Sequence, residues 1–479
     1  MIPIQPRLPL WKKLVYASGD FGLSSSGILR QIFYAIYLTD VVGLDPRLAS
    51  FAALLGVAWD AINDPLAGIF SDHVHTRWGR RRPFLLIFAM PFGLSFVLLW
   101  YAPPWNSQVA LLVYVMLAFM LADTISTLIS MPFNALMPEI IPGYDERTSL
   151  MGIRSFVQLG AALVTVIVAP AIVTAALASG LTQQQGYIIT SALFGLIGCL
   201  PFLVIFFVIR ETADTEETQT LPIGQTLRTA WQNKPFRFAT GMQLFNWSAV
   251  DMVGLLLPFF LLYWVAQGDM LMTVNVLGLQ LSLESAFLGL LMATSIVFIP
   301  VWSWLAHCLN KRAAYITGLL FWIIVELLLF AVQPGQVYLA LFLGVLAGIG
   351  VSSAYVLPDS IFADVIEWDE LRTRRRQEGV YYGARALIRK LTGALTIFLA
   401  LQFLGWAGYQ APPEGATSFM QPEPVLMVIR LLIAPLGALL LFGAVIMAWL
   451  YPLTRERHAK ILELLARRKL TLAQSGKDQ

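Results

Sequence analysis

The chain has 479 residues, of which 58% are hydrophobic and 13% charged, and its mean hydropathy is +0.71. A soluble chain of this length carries about 25% charged residues, so composition excludes a soluble globular protein and points to an integral, multi-pass membrane protein. The formal net charge of +3 selects no nucleic-acid partner, because the basic residues sort by loop.

Runs of ~20 apolar residues mark membrane helices. Six fall in the first half: Leu14–Tyr37, Leu48–Phe70, Pro83–Tyr101, Val109–Leu136, Leu150–Ala175 and Tyr187–Ile209. The polar stretch Arg210–Arg237 divides the chain, and Gln225–Gln232 within it reads as a surface helix. Six more follow: Phe238–Val265, Leu283–His307, Ala313–Val332, Val337–Phe362, Tyr381–Trp406 and Pro424–Leu450. A basic tail, Arg455–Lys469, carries Ile461, Leu462, Leu464 and Leu465 at helical spacing and reads as an amphipathic helix on the membrane surface. The expected division is a six-helix bundle over residues 1–209, a cytoplasmic central loop over 210–237, a second bundle over 238–451 and a cytoplasmic basic tail over 452–479. No cleavable signal peptide is visible before the first span.

Alternate loops are basic. One set holds Arg77, Arg80, Arg81 and Arg82, then Arg147, then Lys311 and Arg312, then Arg372, Arg374, Arg375 and Arg376. The other set is nearly free of Lys and Arg, with Arg47 its main exception. Positive residues stay inside, so both termini are expected in the cytoplasm and the protein in the plasma (inner) membrane. A weak internal repeat supports two halves. Span two ends in Gly68-Ile69-Phe70-Ser71-Asp72 before the Arg77–Arg82 turn, and span eight ends before Asn310-Lys311-Arg312. The fold class is therefore all-α membrane protein, with the layout of the major facilitator fold: about twelve transmembrane helices in two six-helix pseudo-symmetric halves. Cys199 and Cys308 form neither a disulfide framework nor a metal motif, and His73, His75, His307 and His458 lie at segment ends or in loops.

The second span contains Trp59-Asp60-Ala61-Ile62-Asn63-Asp64-Pro65. Asp60 and Asp64 are one helical turn apart on the same face, and Asn63 is close to that face. Each intramembrane carboxylate costs at least ~2.5 kcal/mol. A hard cation such as Na⁺ between the acids, or a proton on one of them, removes both that cost and their repulsion. Helix packing by a polar cluster is the plainer alternative.

This stretch resembles a known family, as do Gly19-Asp20-Phe21-Gly22, Tyr37-Leu38-Thr39-Asp40-Val41-Val42-Gly43-Leu44, Thr76-Arg77-Trp78-Gly79-Arg80, Met131-Pro132-Phe133, Ala363–Trp368, Arg389-Lys390 and Ala407-Gly408-Tyr409. The family is the glycoside–pentoside–hexuronide:cation symporters, the melibiose-permease-like group. The resemblance covers nearly the whole chain. It implies a cation site of Asp60, Asn63, Asp64 and Thr127, with Asp60 and Asp64 as metal ligands if Na⁺ is used. It also implies that Lys390 of span eleven lies near the acids and that Arg154 is retained from the sugar site. Span one of the family carries a Lys-Asp pair where this chain has Leu23 and Ser24, and span four carries an Asp and a Trp where this chain has Ser130 and Asn134. Galactosides are thus expected to be poor substrates. Animal sodium-dependent lysolipid transporters share Asp-Ala-Ile-x-Asp-Pro and Ala-Gly-Tyr-Gln as well.

Other polar residues fall on helical faces. Asp123, Thr127, Ser130 and Asn134 line one face of span four, and Asp20, Ser24, Gly27 and Gln31 line one of span one, with Arg30 beside it. Asn246, with Tyr263 or Trp264, is expected at the cavity. Asp251 reads as a gate or packing residue and Glu326 as a peripheral polar contact. Arg385, Arg389 and Lys390 of span eleven need acidic partners, and Asp60 or Asp64 suits Lys390. The reading is a symporter coupled to Na⁺ or H⁺. Its solute- and coupling-site candidates are Asp20, Ser24, Asp123, Ser130, Asn134, Arg154 and Lys390. The expected solute is a sugar or glycoside, with a lysolipid or other amphiphile as the alternative. The expected partners are that small-molecule solute and membrane lipid, with no cofactor and a monomer as the working unit. No nucleophile elbow, phosphate loop or His-rich motif points to a membrane enzyme.

Overall fold

The computed structural model describes residues 8–74, 76–140, 144–210, 231–373, 378–413, 415–453 and 455–475. The surface helix expected at Gln225–Gln232 begins among residues outside that set, and Arg374, Arg375 and Arg376 also lie outside it.

The first half is built from α1 (Leu10–Ile36), α2 (Pro46–His73), α3 (Arg82–Leu99), α4 (Gln108–Ile140), α5 (Tyr144–Ala178) and α6 (Gln183–Val208). The second is built from α7 (Lys234–Phe259), α8 (Leu283–Cys308), α9 (Lys311–Ala331), α10 (Val337–Thr373), α11 (Glu378–Trp406) and α12 (Glu423–Leu450). Local chemistry sets their starts. Asp45 caps α2 by accepting from the Arg47 N–H ahead of Pro46, and Thr182 with Gln185 forms a capping box on α6. Asn233, Ser282 and Asn310 cap α7, α8 and α9. The ten helices α3–α12 are long and apolar enough to cross a membrane. Helices α1 and α2, with 27 and 28 residues, have the length as well. Their hydropathy is lowered by the charges that build the site described below.

Within the first half α1 packs on α5 and α6, α3 on α4 and α6, and α2 on α4. Between halves α2 packs on α11, α5 on α8, and α1 on α7. These contacts interchange when each helix is replaced by the one six places on, which is the signature of two pseudo-symmetric bundles. In the first half, α6 lies backbone to backbone on its neighbours. A Cβ on Gly22 would lie 2.5 Å from the Gly198 carbonyl oxygen, and one on Gly93 would lie 2.9 Å from that of Gly195. Only glycine permits this approach.

Two features were not legible in the sequence. Helices α1 and α7 both continue into π-helical turns, Tyr37–Val41 and Phe260–Val265. Beyond α7 stands a hairpin of β1 (Thr273–Val276) and β2 (Leu279–Ser282). Its turn residues Leu277 and Gly278 have φ of 52° and 86°, the double positive φ of a type I′ turn. Asn275 accepts from the Gly278 N–H at 3.0 Å. This hairpin marks one end of the bundle, and both terminal segments lie at the other.

There the tail forms α13 (Arg455–Ser475). Its apolar face differs in part from expectation: Leu464 is exposed, but Ile461 and Leu465 are buried in the protein core rather than turned to lipid, and the Leu462 side chain lies outside the described set. His458 anchors the helix to Glu367 of α10 at 2.5 Å, and Lys311 holds Asp364 of α10 at 2.6 Å. Glu326 is also not peripheral. It is buried against Gly437 of α12.

Candidate functional site

The acids of α2 meet α11 at mid-depth. The indole of Trp59 donates to Thr124 of α4 at 3.0 Å and fixes the rotation of α2 about its axis. Asp60 and Asp64 then face the second half. The ammonium of Lys390 lies 2.5 Å from an Asp60 oxygen and also bonds Asp64. Thr127 of α4 donates to Asp64 at 3.4 Å. Asn63 is buried alongside, and its Nδ2 has no partner among the described residues. All three cations of α11 are paired: Arg385 with Asp359, Arg389 with Asp251, and Lys390 with the two acids.

Above these acids, toward the hairpin end, lies a cavity of about 320 Å³ between the halves. Its floor carries Arg30, Asp60, Asp123, Asp251, Arg389 and Lys390. Its walls are largely apolar, with Ala49, Ala52 and Ala53 from α2 opposite Ala394, Ile397 and Leu401 from α11, and with Tyr34 of α1 and Phe119 of α4. Arg30 reaches Asp123 at 3.6 Å, and the second oxygen of Asp123 is buried without a partner among the described residues. Arg389 makes a two-pronged pair with Asp251 of α7 at 2.7 and 2.8 Å, and Gln31 of α1 donates to the same carboxylate at 3.1 Å. Arg389 also lies over the Trp247 ring at 4.4 Å.

The remaining polar residues of the first half form a second group. Arg154 bonds Asp20 at 2.6 and 2.8 Å and Asn134 at 2.7 Å, and Gln158 donates to Asp20 at 2.9 Å. Ser24 donates to the Gln158 carbonyl at 3.0 Å, while Ser130 is half-buried on the same face of α4 as Thr127. So Asp123 and Lys390 line the cavity, and Asp20, Ser24, Asn134 and Arg154 form one network beside it. Contrary to the expectation from sequence, Asn246 is not at the cavity: it is buried and donates to the Ala354 carbonyl at 3.0 Å, and Trp264 donates to the Val332 carbonyl at 2.8 Å.

Among the described residues, hydrogen bonds at three places tie the halves together at the hairpin end. Buried Asp40, in the π-turn of α1, accepts from Tyr263, in the π-turn of α7, at 2.5 Å, and from Tyr409. Gln402 of α11 donates to Ser50 of α2 at 2.8 Å, and Ser285 of α8 to the Ile167 carbonyl of α5 at 2.7 Å. The sequence marks Asp40 and Tyr409 only as motif residues, because partners 223 and 369 positions away leave no local periodicity.

Known proteins bear out the architecture. The sequence pattern of MFS/sugar transport proteins matches residues 15–455. An uncharacterized symporter from Synechocystis sp. is 30% identical, over 97% of this chain and 98% of its own. The sodium-dependent lysophosphatidylcholine symporter 1 of Gallus gallus is 27% identical, over 94% of this chain and 88% of its own. Among solved structures, an inward-facing, unoccupied bacterial homolog of the human lysosomal transporter Spinster superposes with a TM-score of 0.66 at 13% identity, covering 95% of this chain and 97% of that one. With the MFS/sugar transport pattern matched over residues 15–455, and with two six-helix halves around a charged cavity, the chain is a transporter of the MFS/sugar transport protein family.

Proposed function

We propose that this protein is a secondary symporter that couples a monovalent cation, Na⁺ or H⁺, to uptake of a sugar or glycoside. One observation carries the reading: the Lys390 ammonium of one half sits between two carboxylates of the other. A cation that takes Asp60 and Asp64 must displace that ammonium, so cation binding and the contact between halves are linked. Asn63 and Thr127 complete an oxygen-donor set suited to a hard cation. Turning the Asn63 amide over aims Oδ1 where the unpartnered Nδ2 now lies. Each ligand must then raise the affinity for the other by the same factor. The basic loops favour cytoplasmic termini in the plasma membrane, with the hairpin end outside. Both halves come from one chain, so the monomer is the working unit.

A second reading, an amphiphile such as a lysolipid, is favoured by the largely apolar walls of the cavity. Proteoliposome uptake separates the two. Neutral sugars and lysophosphatidylcholine are supplied in turn, under a Na⁺ gradient, a proton gradient or none. Gradient-driven accumulation of a sugar is expected. Equal uptake with and without every gradient refutes coupling.

A further inference from the structure

We propose that the Asp251–Arg389 pair is the solute's recognition element, and that it takes vicinal hydroxyls of a solute with no net charge. This rests on the symport reading above. The family resemblance leaves a gap, because Leu23, Ser24, Ser130 and Asn134 stand where charged and aromatic sugar ligands are expected. The second half supplies a replacement. Asp251 and Arg389 line the cavity, and the Arg389 side chain is 32% exposed. A guanidinium has five donors, of which Asp251 takes two. The ring of Trp247 fixes its plane. On the carboxylate, Gln31 contributes a neutral hydrogen bond from the opposite half. A solute hydroxyl can replace that amide one for one, donating to Asp251 while its neighbour accepts from Arg389. Gly393 keeps the approach open: a Cβ there would lie 2.8 Å from an Arg389 nitrogen and 3.1 Å from an Asp251 oxygen.

The charges of the site exclude solutes that carry a net charge. Asp60, Asp64, Asp123 and Asp251 are grouped with Arg30, Arg389 and Lys390, one negative charge in excess. A single Na⁺ or H⁺ brings the site to neutrality. An added anionic or cationic solute would leave an unbalanced charge in a site that must close inside the membrane, which is costly. Uronates and amino sugars are therefore rejected, and neutral polyols accepted. The pair differs from a simple staple between α7 and α11 in that it is open to the cavity and shared with Gln31 of the other half.

The test uses the full chain in proteoliposomes with xylose, glucose, galactose, melibiose, maltose, glucuronate, glucosamine and lysophosphatidylcholine. At least one neutral sugar is expected to be taken up, and neither glucuronate nor glucosamine. For that sugar, Asp251→Asn and Gly393→Ala are each expected to raise KM by about ten-fold or more. In Gly393→Ala, which keeps every charge, the Na⁺-induced or pH-induced shift in Tm is expected to stay at the parental size. An unchanged KM in a folded Asp251→Asn protein overturns the proposal. So does uptake of glucuronate or lysophosphatidylcholine in place of the neutral sugars. If Asp251→Asn does not fold, Gly393→Ala, which keeps every charge, decides alone. Failure of the symport reading is a separate result: the parent protein would show neither gradient-driven uptake nor a cation-induced shift.

Discussion

Two carboxylate–guanidinium pairs stand on corresponding helices of the two halves, Asp20–Arg154 between α1 and α5 and Asp251–Arg389 between α7 and α11. The first is sealed, with side chains 2% and 8% exposed, and its remaining bonds go to Asn134 and Gln158 of its own half. The second is open, with Arg389 a third exposed, and its third partner is Gln31 of the opposite half. The same chemistry thus serves two ends. A pair satisfied within one rigid bundle holds that bundle together, while a pair shared across the interface can be exchanged for a ligand.

The sharpest contrast is expected from the acids that share Lys390. Asp60→Ala or Asp64→Ala is expected to abolish gradient-driven accumulation while the protein still folds, because Lys390 keeps the other acid. Accumulation equal to the parent's in both variants would remove them from the coupling site. Arg154→Ala is expected to cost about 3–5 kcal/mol of stability, the effect of stranding a buried charge. Thermal unfolding in detergent measures it, and the neutral double variant Asp20→Asn with Arg154→Gln is expected to recover much of the loss. A folded Arg154→Ala protein with a raised solute KM would break the comparison and make the sealed pair a ligand pair.

Between these lies the Lys390–Asp64 contact. A double-mutant cycle with Lys390→Ala and Asp64→Asn on stability is expected to give a coupling of about 0.5–3 kcal/mol; strict additivity would assign Lys390 to another partner. Smallest is Thr127→Ala, which removes one hydroxyl bond to Asp64. It is expected to weaken apparent cation affinity by about five-fold, for a bond of about 1 kcal/mol, with solute KM at saturating cation unchanged. An unchanged cation affinity would take Thr127 out of the site.

Much of this was legible in the sequence. Long apolar runs located the helices, because a membrane leaves little freedom in how backbone groups are satisfied. The i, i+4 spacing put Asp60 and Asp64 on one face, and the cost of a lone intramembrane ammonium pointed Lys390 at them. Pairings across the fold were not legible. Asp251, Arg389 and Gln31 each stood out as polar residues in apolar spans, yet nothing local ties them together, and Asp251 read as a gate or packing residue. The π-turns of α1 and α7 leave no mark in the apolar pattern. The face of α13 was correctly apolar, but periodicity cannot say whether lipid or protein covers it.

The glycine contacts of α6 have a mechanical consequence. With Gly22 on Gly198 and Gly93 on Gly195, helices α1, α3 and α6 have no compressible layer of side chains at those crossings. Those three helices must therefore move together, as a solid lever within the first half. A lever moves least at its fulcrum and most at its tip. Lys390 and the two acids sit at mid-depth, near the fulcrum, where partners can be traded over short distances. Asp40, Tyr263 and Tyr409 sit at the tip, where the same swing must pull the hydroxyls off the carboxylate altogether. Opening toward the hairpin end thus breaks this clasp together with the Gln402–Ser50 and Ser285–Ile167 contacts, and the tyrosines contribute to the work the stroke requires.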